Sequence, residues 1–262
     1  MKKTPIIHDS SEYPAELRSF LVGADVYDSS CSDAAKVIFI DKGDGFYLKR
    51  ACAGSLRAES DMTRYFHGKG LAPEVIAYTS DGRYDFLLTA AAHGEDGTHN
   101  AYLSDPRRLC DLLAESMRAL HESDTSGCPV PDRMADYFAF AEVQYVSGGF
   151  GNFHLPDRYK FPSADAAWKS ANERRHLLHS DVLIHGDFCL PNVIFSDWRL
   201  SAYIDVGNGG IGDRHVDLFW AAWSLGFNLH TDKYTDRFFD AYGRDAINTD
   251  ALYAVAAFET FG

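Results

Sequence analysis

Residues 184–207 read IHGDFCLPNVIFSDWRLSAYIDVG, and this stretch decides the predicted fold. The apolar run 182–184 delivers Asp187 onto a loop, and two further apolar runs flank the turn residues 196–198. Short apolar runs bounded by turn residues are typical of paired strands. The pattern therefore predicts a hairpin whose open end holds three polar side chains near one point: Asp187, Asn192 and Asp205.

These three side chains form the set of groups that phosphoryl transfer requires. One carboxylate accepts or orients the proton of the attacking hydroxyl, while an amide oxygen and a second carboxylate hold Mg²⁺ against nucleotide phosphates. Asp187 precedes Asn192 by five positions, as in the kinase catalytic loop, and Asp205-Val206-Gly207 takes the place of the Asp-Phe-Gly motif. Asp187 is therefore the predicted catalytic base, and Asn192 and Asp205 are the predicted metal ligands. Gly186 stands where the arginine of the protein-kinase loop would be.

The same stretch resembles the aminoglycoside O-phosphotransferases, above all the 3′-phosphotransferase group. The similarity continues through the segment GGIGDRHVDL at residues 209–218. The resemblance implies a bilobal, protein-kinase-like α+β fold, with a small β-rich lobe over 1–89, a linker over 90–94 and a larger, mainly helical lobe over 95–262. It also implies Mg²⁺-dependent transfer from ATP or GTP to an aminoglycoside hydroxyl, most simply the 3′-hydroxyl, which confers antibiotic resistance.

The charge and cysteine content of the chain indicate which kinds of molecule it binds and where it works. The formal net charge of −13 argues against a nucleic-acid backbone and is compatible with a cationic small-molecule acceptor. The five cysteines are scattered without a metal-binding spacing, which predicts reduced thiols in a cytoplasmic protein. Neither an apolar signal-peptide core nor a membrane-length apolar run is visible, so we expect no membrane partner. The oligomeric state stays open.

A lysine and a glutamate in the first hundred residues complete the kinase pattern. The runs 36–40 and 46–49 predict a β-hairpin, with Lys49 at the end of its second strand. Glu59 lies ten residues later in the predicted helix 56–66. In kinases such a lysine contacts the α/β-phosphates and pairs with a helix glutamate.

Further nucleotide contacts are implied by the resemblance. The family carries a segment similar to Cys31-Ser32-Asp33-Ala34-Ala35 as its nucleotide-positioning loop, which makes Ser30 and Ser32 candidate phosphate contacts. The linker follows two predicted strands at 75–78 and 85–89. By resemblance, the Ala90 carbonyl and the Ala92 amide would hold adenine there.

The acceptor side departs from the family pattern. Where this chain has residues 147–157, the 3′-phosphotransferases have an acidic loop, and Asp157 is the acid that remains here. Where this chain has Asn208, those enzymes have an arginine. The family's C-terminal carboxylates fall on Glu259 and Gly262, so these two residues with Asp157 and Asn208 are the candidate acceptor contacts. We therefore expect a narrow or weak aminoglycoside range. A helix over 168–178 is predicted to lead back to the catalytic strand.

Two residues receive structural roles, and other functions stay open. His121 is predicted to be a structural histidine, and Asp217 is predicted to anchor the catalytic loop. The nearest alternative function is a kinase of another small hydroxylated antibiotic or metabolite, such as a streptomycin 3″-kinase. A nucleotide-binding regulatory protein without turnover is a second alternative, and a metal hydrolase built on His185 and Asp187 is a third.

Overall fold

The computed structural model describes residues 3–32, 34–152 and 155–262. Asp33 of the predicted phosphate loop, and Phe153 and His154 of the predicted acceptor loop, lie outside the described residues. The strands are β1 (Thr4–Pro5), β2 (Asp25–Asp28), β3 (Ala35–Asp41), β4 (Phe46–Cys52), β5 (Val75–Ser80), β6 (Tyr84–Ala90), β7 (Glu95–Asp96), β8 (Val182–Ile184), β9 (Val193–Ser196), β10 (Arg199–Tyr203) and β11 (Gly210–Gly212). The α-helices are α1 (Ala15–Leu21), α2 (Arg57–Gly68), α3 (Asn100–Leu103), α4 (Pro106–His121), α5 (Arg133–Val146), α6 (Ala164–Arg174), α7 (Arg214–Leu229), α8 (Thr235–Tyr242) and α9 (Thr249–Phe258).

The chain divides into two compact units. The first contains Met1–Asp96 and Val193–Gly207, and the second contains Gly97–Asn192 and Asn208–Gly262. Most strands lie in the first unit and most helices in the second, which confirms the predicted α+β class. The predicted lobe boundaries at residues 89 and 95 stay predictions.

The first unit is built on a six-stranded antiparallel sheet with the order β1-β2-β3-β4-β6-β5. Ile38, Ile40 and Leu48 point from β3 and β4 into its main apolar core. The predicted β3–β4 hairpin is confirmed, but placing Lys49 at the end of its strand was wrong. The strand continues to Cys52 because residues 50–52 pair with residues 84–86 of β6, a partner that the local sequence does not reveal.

The predicted hairpin at the decisive stretch is confirmed as β9 and β10. Ser196 pairs with Arg199 across a two-residue turn, in which Asp197 (φ 49°) and Trp198 (φ 60°) both adopt left-handed backbone conformations. Positive φ at both central residues is the signature of the type I′ turn, whose twist matches that of paired strands. The other edge of β9 pairs with the short strand β7, which fixes the hairpin within the first unit.

The second unit is mainly helical. Helix α4 packs on α7 and α8, and α9 packs on α6 and α7, with the apolar faces of these helices buried. Strand β8 pairs with β11 beneath them. The predicted helix 168–178 was misplaced: α6 begins at Ala164, because the Ser163 side chain caps its first turn, and residues 175–177 form a 3₁₀ turn instead. No helix among residues 3–32, 34–152 and 155–262 combines the length and apolar character needed to cross a membrane.

Gly94 is required where β7 approaches β9. It has φ +116°, and a Cβ there would lie 2.2 Å from the Phe195 carbonyl oxygen. Gly82, in the β5–β6 turn, also has a positive φ (+87°), but a Cβ there would meet nothing within 4 Å.

We expect Gly82→Ala to lower the free energy of unfolding by about 1 kcal/mol through backbone strain alone. Gly94→Ala should lower it by about 3 kcal/mol, because overpacking adds to the strain.

Urea unfolding of the two variants checks this prediction. Equal losses would show that the β7–β9 approach tolerates a Cβ and that the close packing at Gly94 has no energetic consequence.

Candidate active site

In the first unit, Lys49 lies between two carboxylates. Its Nζ donates to Glu59 Oε2 at 2.8 Å and forms a second, short contact with Asp205 Oδ1. Glu59 comes from the first turn of α2, and Asp205 follows β10. The structure thus brings together three of the residues singled out in the sequence, from a strand, a helix and the hairpin.

Burial and charge oppose each other in this cluster. The side chains of Lys49 and Glu59 are 20% and 13% exposed, whereas that of Asp205 is 50% exposed. Burial lowers the pKa of Lys49, but the carboxylates of Asp205 and Glu59 outweigh it and leave that pKa above its ordinary value. Burial raises the pKa of Glu59, against the opposing effect of Lys49. A lysine cation is therefore held in place beside a carboxylate that remains half open to solvent.

An aromatic surface beside Lys49 was missed in the sequence. Tyr27, Phe39 and Tyr47 occupy paired positions on β2, β3 and β4, on the sheet face that also carries Lys49. Ring centroids are 6.2 Å apart for Tyr27 and Phe39 and 5.1 Å apart for Phe39 and Tyr47. Burial raises the pKa of Tyr47 to about 12. The alternation in β3, with isoleucines on one face and Val37 and Phe39 on the other, was the available signal.

The predicted linker is held to neighbouring segments by backbone hydrogen bonds. The Ala90 amide donates to the Glu74 carbonyl at 2.9 Å, and the Ala91 amide donates to the Gly45 carbonyl at 3.0 Å. The Phe39 ring lies against Gly45, so the aromatic surface reaches the linker.

Within the described part of the chain, the Ala92 amide has no backbone acceptor. In the Ser-rich loop, the Ser30 hydroxyl accepts from the Val37 amide at 3.0 Å, and exposed Ser32 forms an isolated bridge with Ala35.

In the second unit, one buried carboxylate anchors the loop that carries Asp187. Asp217, on α7, accepts from the amides of His185 and Gly186, each at 2.8 Å. His121 Nε2 lies 3.1 Å from the same carboxylate, and its Nδ1 lies 2.8 Å from the Tyr242 hydroxyl. The structural roles predicted for Asp217 and His121 are confirmed.

Asp187 and Asn192 are hydrogen-bonded to each other. Asn192 Nδ2 donates to the Asp187 carbonyl at 3.0 Å and to its Oδ2 at 2.9 Å. A 3₁₀ turn over Leu190–Asn192 brings the two side chains together across the five-residue spacing seen in the sequence. The Asp187 carboxylate is therefore held in one orientation by the candidate metal ligand.

The missing kinase arginine has a steric reason. Gly186 has φ +83°, and a Cβ at this position would lie 2.0 Å from the Asn208 carbonyl oxygen. Any side chain here would collide with backbone as well as strain the left-handed conformation. Asn208, where the family has a rim arginine, thus contributes its main chain to the shape of the catalytic loop.

The residues proposed for the metal have suitable donors. Among residues 3–32, 34–152 and 155–262, the hydrogen bonds of the Asn192 side chain both use its amide nitrogen, which keeps Oδ1 available to a metal. Asp205 presents a half-exposed carboxylate. Amide and carboxylate oxygens are the ligands that Mg²⁺ accepts. His185, by contrast, is fully buried, and its Nδ1 faces the Asp187 amide at 3.2 Å. That burial leaves the alternative of a His185–Asp187 metal hydrolase without support.

The four candidate acceptor contacts differ in their surroundings. Asp157 is exposed and paired with Lys160 at 2.8 Å, and Asn208 and Gly262 are also exposed. Glu259 is buried, and its carboxylate accepts from the Tyr137 hydroxyl at 2.8 Å. Burial raises the pKa of Glu259 to about 7, against hydrogen bonds from Tyr137 and Trp220 that lower it.

The pKa of Glu259 predicts a pH effect on stability. Between the ordinary value of 4.5 and about 7, the folded protein keeps a proton on Glu259 that the unfolded chain has released. Stability should therefore fall as the pH rises through that window, by up to about 3 kcal/mol at 1.36 kcal/mol per pKa unit.

Glu259→Gln removes this titration, so its free energy of unfolding should fall less than that of the unaltered protein between pH 5 and pH 7.5. Urea unfolding at the two pH values measures the difference, and Glu173→Gln, at an exposed position of α6, is the control. Identical pH dependences for Glu259→Gln and Glu173→Gln would contradict the buried protonated carboxyl.

The chain is similar in sequence to known phosphotransferases. The sequence profile of the phosphotransferase enzyme family matches residues 29–258. The chain is 44% identical to a probable aminoglycoside 3′-phosphotransferase of Lactococcus lactis subsp. lactis (strain IL1403), over 96% of this chain and 95% of that protein.

Solved structures give the same answer for the fold. A crystal structure of an aminoglycoside-3′-phosphotransferase of type VIII superposes with a TM-score of 0.79, at 23% identity, over 96% of each chain. An aminoglycoside phosphotransferase of Streptomyces rimosus, in complex with ADP and streptomycin, superposes with a TM-score of 0.67, at 22% identity, over 88% of this chain and 95% of that one. The predicted kinase-like α+β fold is confirmed. The chain belongs to the phosphotransferase enzyme family, and its resemblance to the aminoglycoside O-phosphotransferases is confirmed.

Proposed function

We propose that this protein transfers the γ-phosphate of a nucleoside triphosphate to a hydroxyl of an aminoglycoside, with the 3′-hydroxyl as the first candidate. The observation that carries the proposal is the placement of Lys49 between Glu59 and Asp205. A partly buried, charged lysine fixed by a helix glutamate is the kinase arrangement for binding nucleotide phosphates. The 44% identical relative, a probable aminoglycoside 3′-phosphotransferase, supports the acceptor class.

The nucleotide side of the proposal lies in the first unit. Lys49 would hold the α/β-phosphates, and Tyr47, on the same face of β4, would contact the nucleobase beside the linker, where Ala90 and Ala92 offer main-chain groups. Ser30 and Ser32 remain candidate phosphate contacts at the edge of β3. The Streptomyces rimosus enzyme was solved with ADP, which supports a nucleotide donor for this chain.

The proton transfer is assigned to Asp187, in the second unit. Because Asn192 holds Oδ2 of Asp187, the other carboxylate oxygen would orient the acceptor hydroxyl and take its proton. Asn192 and Asp205 are the proposed ligands of Mg²⁺, which when bound neutralises phosphate charge. With little covalent chemistry left to the protein, positioning and charge neutralisation supply most of the rate enhancement.

The acceptor is proposed to be cationic, in keeping with the net charge of −13. A second candidate function, a kinase of another small hydroxylated antibiotic, is favoured by one observation. The loop over residues 147–157, which is acidic in the 3′-phosphotransferases, keeps a single acid in this chain, Asp157, and the cation of Lys160 lies 2.8 Å from that carboxylate.

One panel tests both candidate functions. Purified protein is incubated with Mg²⁺ or with EDTA, with ATP or GTP, and with kanamycin, neomycin or streptomycin, and phosphorylated products are detected by mass spectrometry. Transfer to kanamycin or neomycin supports the first candidate, and transfer to streptomycin alone supports the second. Nucleotide binding without transfer to any acceptor would support the alternative of a nucleotide-binding regulatory protein without turnover.

Asp187→Ala should abolish transfer while leaving nucleotide binding intact. Removal of a positioned base costs about 10²–10⁴-fold in kcat. Steady-state kinetics and a thermal melt check this outcome. A variant with near-normal kcat and an unchanged melting profile would remove Asp187 from the mechanism.

Asp205→Asn should weaken Mg²⁺-dependent nucleotide binding far more than Asp197→Asn does. The two residues are matched, because both have a positive φ (61° and 49°) and asparagine tolerates that conformation as well as aspartate. Asp205 contacts Lys49, whereas Asp197 is exposed in the hairpin turn. Mg²⁺ titrations of nucleotide binding measure the difference. Superimposable curves for the two variants would contradict the assignment of Asp205 as a metal ligand.

A further inference from the structure

Helix α2, which carries Glu59, begins without a capping side chain of its own. Its N-cap residue is Leu56, whose side chain accepts no hydrogen bond and is buried with Ala51 and Leu87 in a small apolar cluster. The first amides of a helix need acceptors from elsewhere when the N-cap is apolar. At this position the chain has a core residue in place of a cap.

Asp85, on the neighbouring strand β6, supplies the missing acceptor. Its Oδ2 accepts from the Leu56 amide at 3.1 Å and from the Tyr78 hydroxyl at 3.0 Å. The residue is 1% exposed and lies opposite Ala51 in the β4–β6 register, two residues along β4 from Lys49. One strand pair therefore holds both Lys49 and the anchor of the helix that positions its partner.

Asp85 is also placed to act as an anion at a helix N-terminus. Burial by itself would raise the pKa of Asp85, but the hydrogen bonds that its carboxylate accepts, among them those from the Leu56 amide and the Tyr78 hydroxyl, outweigh it and lower that pKa. The buried side chain is thus a carboxylate at neutral pH. A negative charge beside the first turn of a helix interacts favourably with the helix dipole.

We propose that Asp85 is a positioning residue for nucleotide binding, which caps α2 from β6 and thereby sets Glu59 against Lys49. Glu59 is the third residue of α2, within the turn that Asp85 anchors, and its carboxylate reaches Lys49 Nζ at 2.8 Å. Displacement of that first turn would carry Glu59 away and release Lys49 from one of its two carboxylates. The inference rests on the proposed function, since it assumes that Lys49 binds nucleotide phosphates.

The test is a double-mutant cycle between Asp85 and Glu59, read out as the dissociation constant of a fluorescent ATP analogue with Mg²⁺. Asp85→Ala should weaken binding about ten-fold, as expected for loss of a hydrogen bond to a charged group. Asp85→Asn, which keeps an acceptor oxygen of the same shape, should weaken it about three-fold. In the Glu59→Gln background either substitution should cost less than about two-fold, because a residue that acts through Glu59 has nothing left to position.

The matched control is Asp81→Asn, in the turn between β5 and β6, which is exposed and accepts from the amides of Arg83 and Tyr84. It should leave nucleotide binding unchanged in both backgrounds. Thermal melts of all variants separate loss of fold from loss of position. If Asp85→Ala does not fold, the cycle is completed with Asp85→Asn.

The outcomes separate this inference from the proposed function. Non-additive losses at Asp85 and Glu59, with the Asp81 control unchanged, support the positioning role. Additive losses, or an Asp85 variant that binds the analogue normally, overturn that role and leave the proposed function standing. If the unaltered protein binds no nucleotide at all, the proposed function and this inference both fail.

Discussion

The loop that presents Asp187 depends on the hydrogen bonds accepted by the buried carboxylate of Asp217. It accepts two successive amides, those of His185 and Gly186, and so determines the path of the loop that presents Asp187. Because Asp217 lies on α7 and also contacts His121 of α4, the loop is tied to two core helices. A fully buried acid with these partners is costly to leave unpaired, so the loop, α4 and α7 form one mutually dependent arrangement.

Local pattern was enough to predict the parts of the fold that are local. The hairpin of β9 and β10 followed from turn residues and apolar runs, and the anchoring role of Asp217 followed from the family segment at 209–218. Strand ends and helix starts were less accurate. The continuation of β4 past Lys49 depends on β6, thirty-odd residues away, and α6 starts early because of a cap at Ser163.

Two features that the sequence did not reveal arise from strand order. Tyr27, Phe39 and Tyr47 become a continuous surface only once β2, β3 and β4 are neighbours in register. Asp85 reaches Leu56 only because β6 lies beside β4, an arrangement in which strands distant in the chain are paired. Among the candidate site residues, the structure places Lys49, Glu59 and Asp205 together in one unit and Asp187 and Asn192 together in the other. The convergence of these two sets stays a prediction, as do the acceptor contacts.

The close approach of Gly186 to the Asn208 carbonyl has an evolutionary consequence. In a lineage that started from this loop, the arginine of protein kinases would not fit through a single substitution, because even a Cβ at residue 186 would lie 2.0 Å from the Asn208 carbonyl oxygen. The backbone at residue 208 would have to move first, and that movement would disturb the segment directly after the Asp-x-Gly motif. The loop is thus separated from its protein-kinase counterpart by at least two coupled changes, the first of which carries a cost before the second brings any gain.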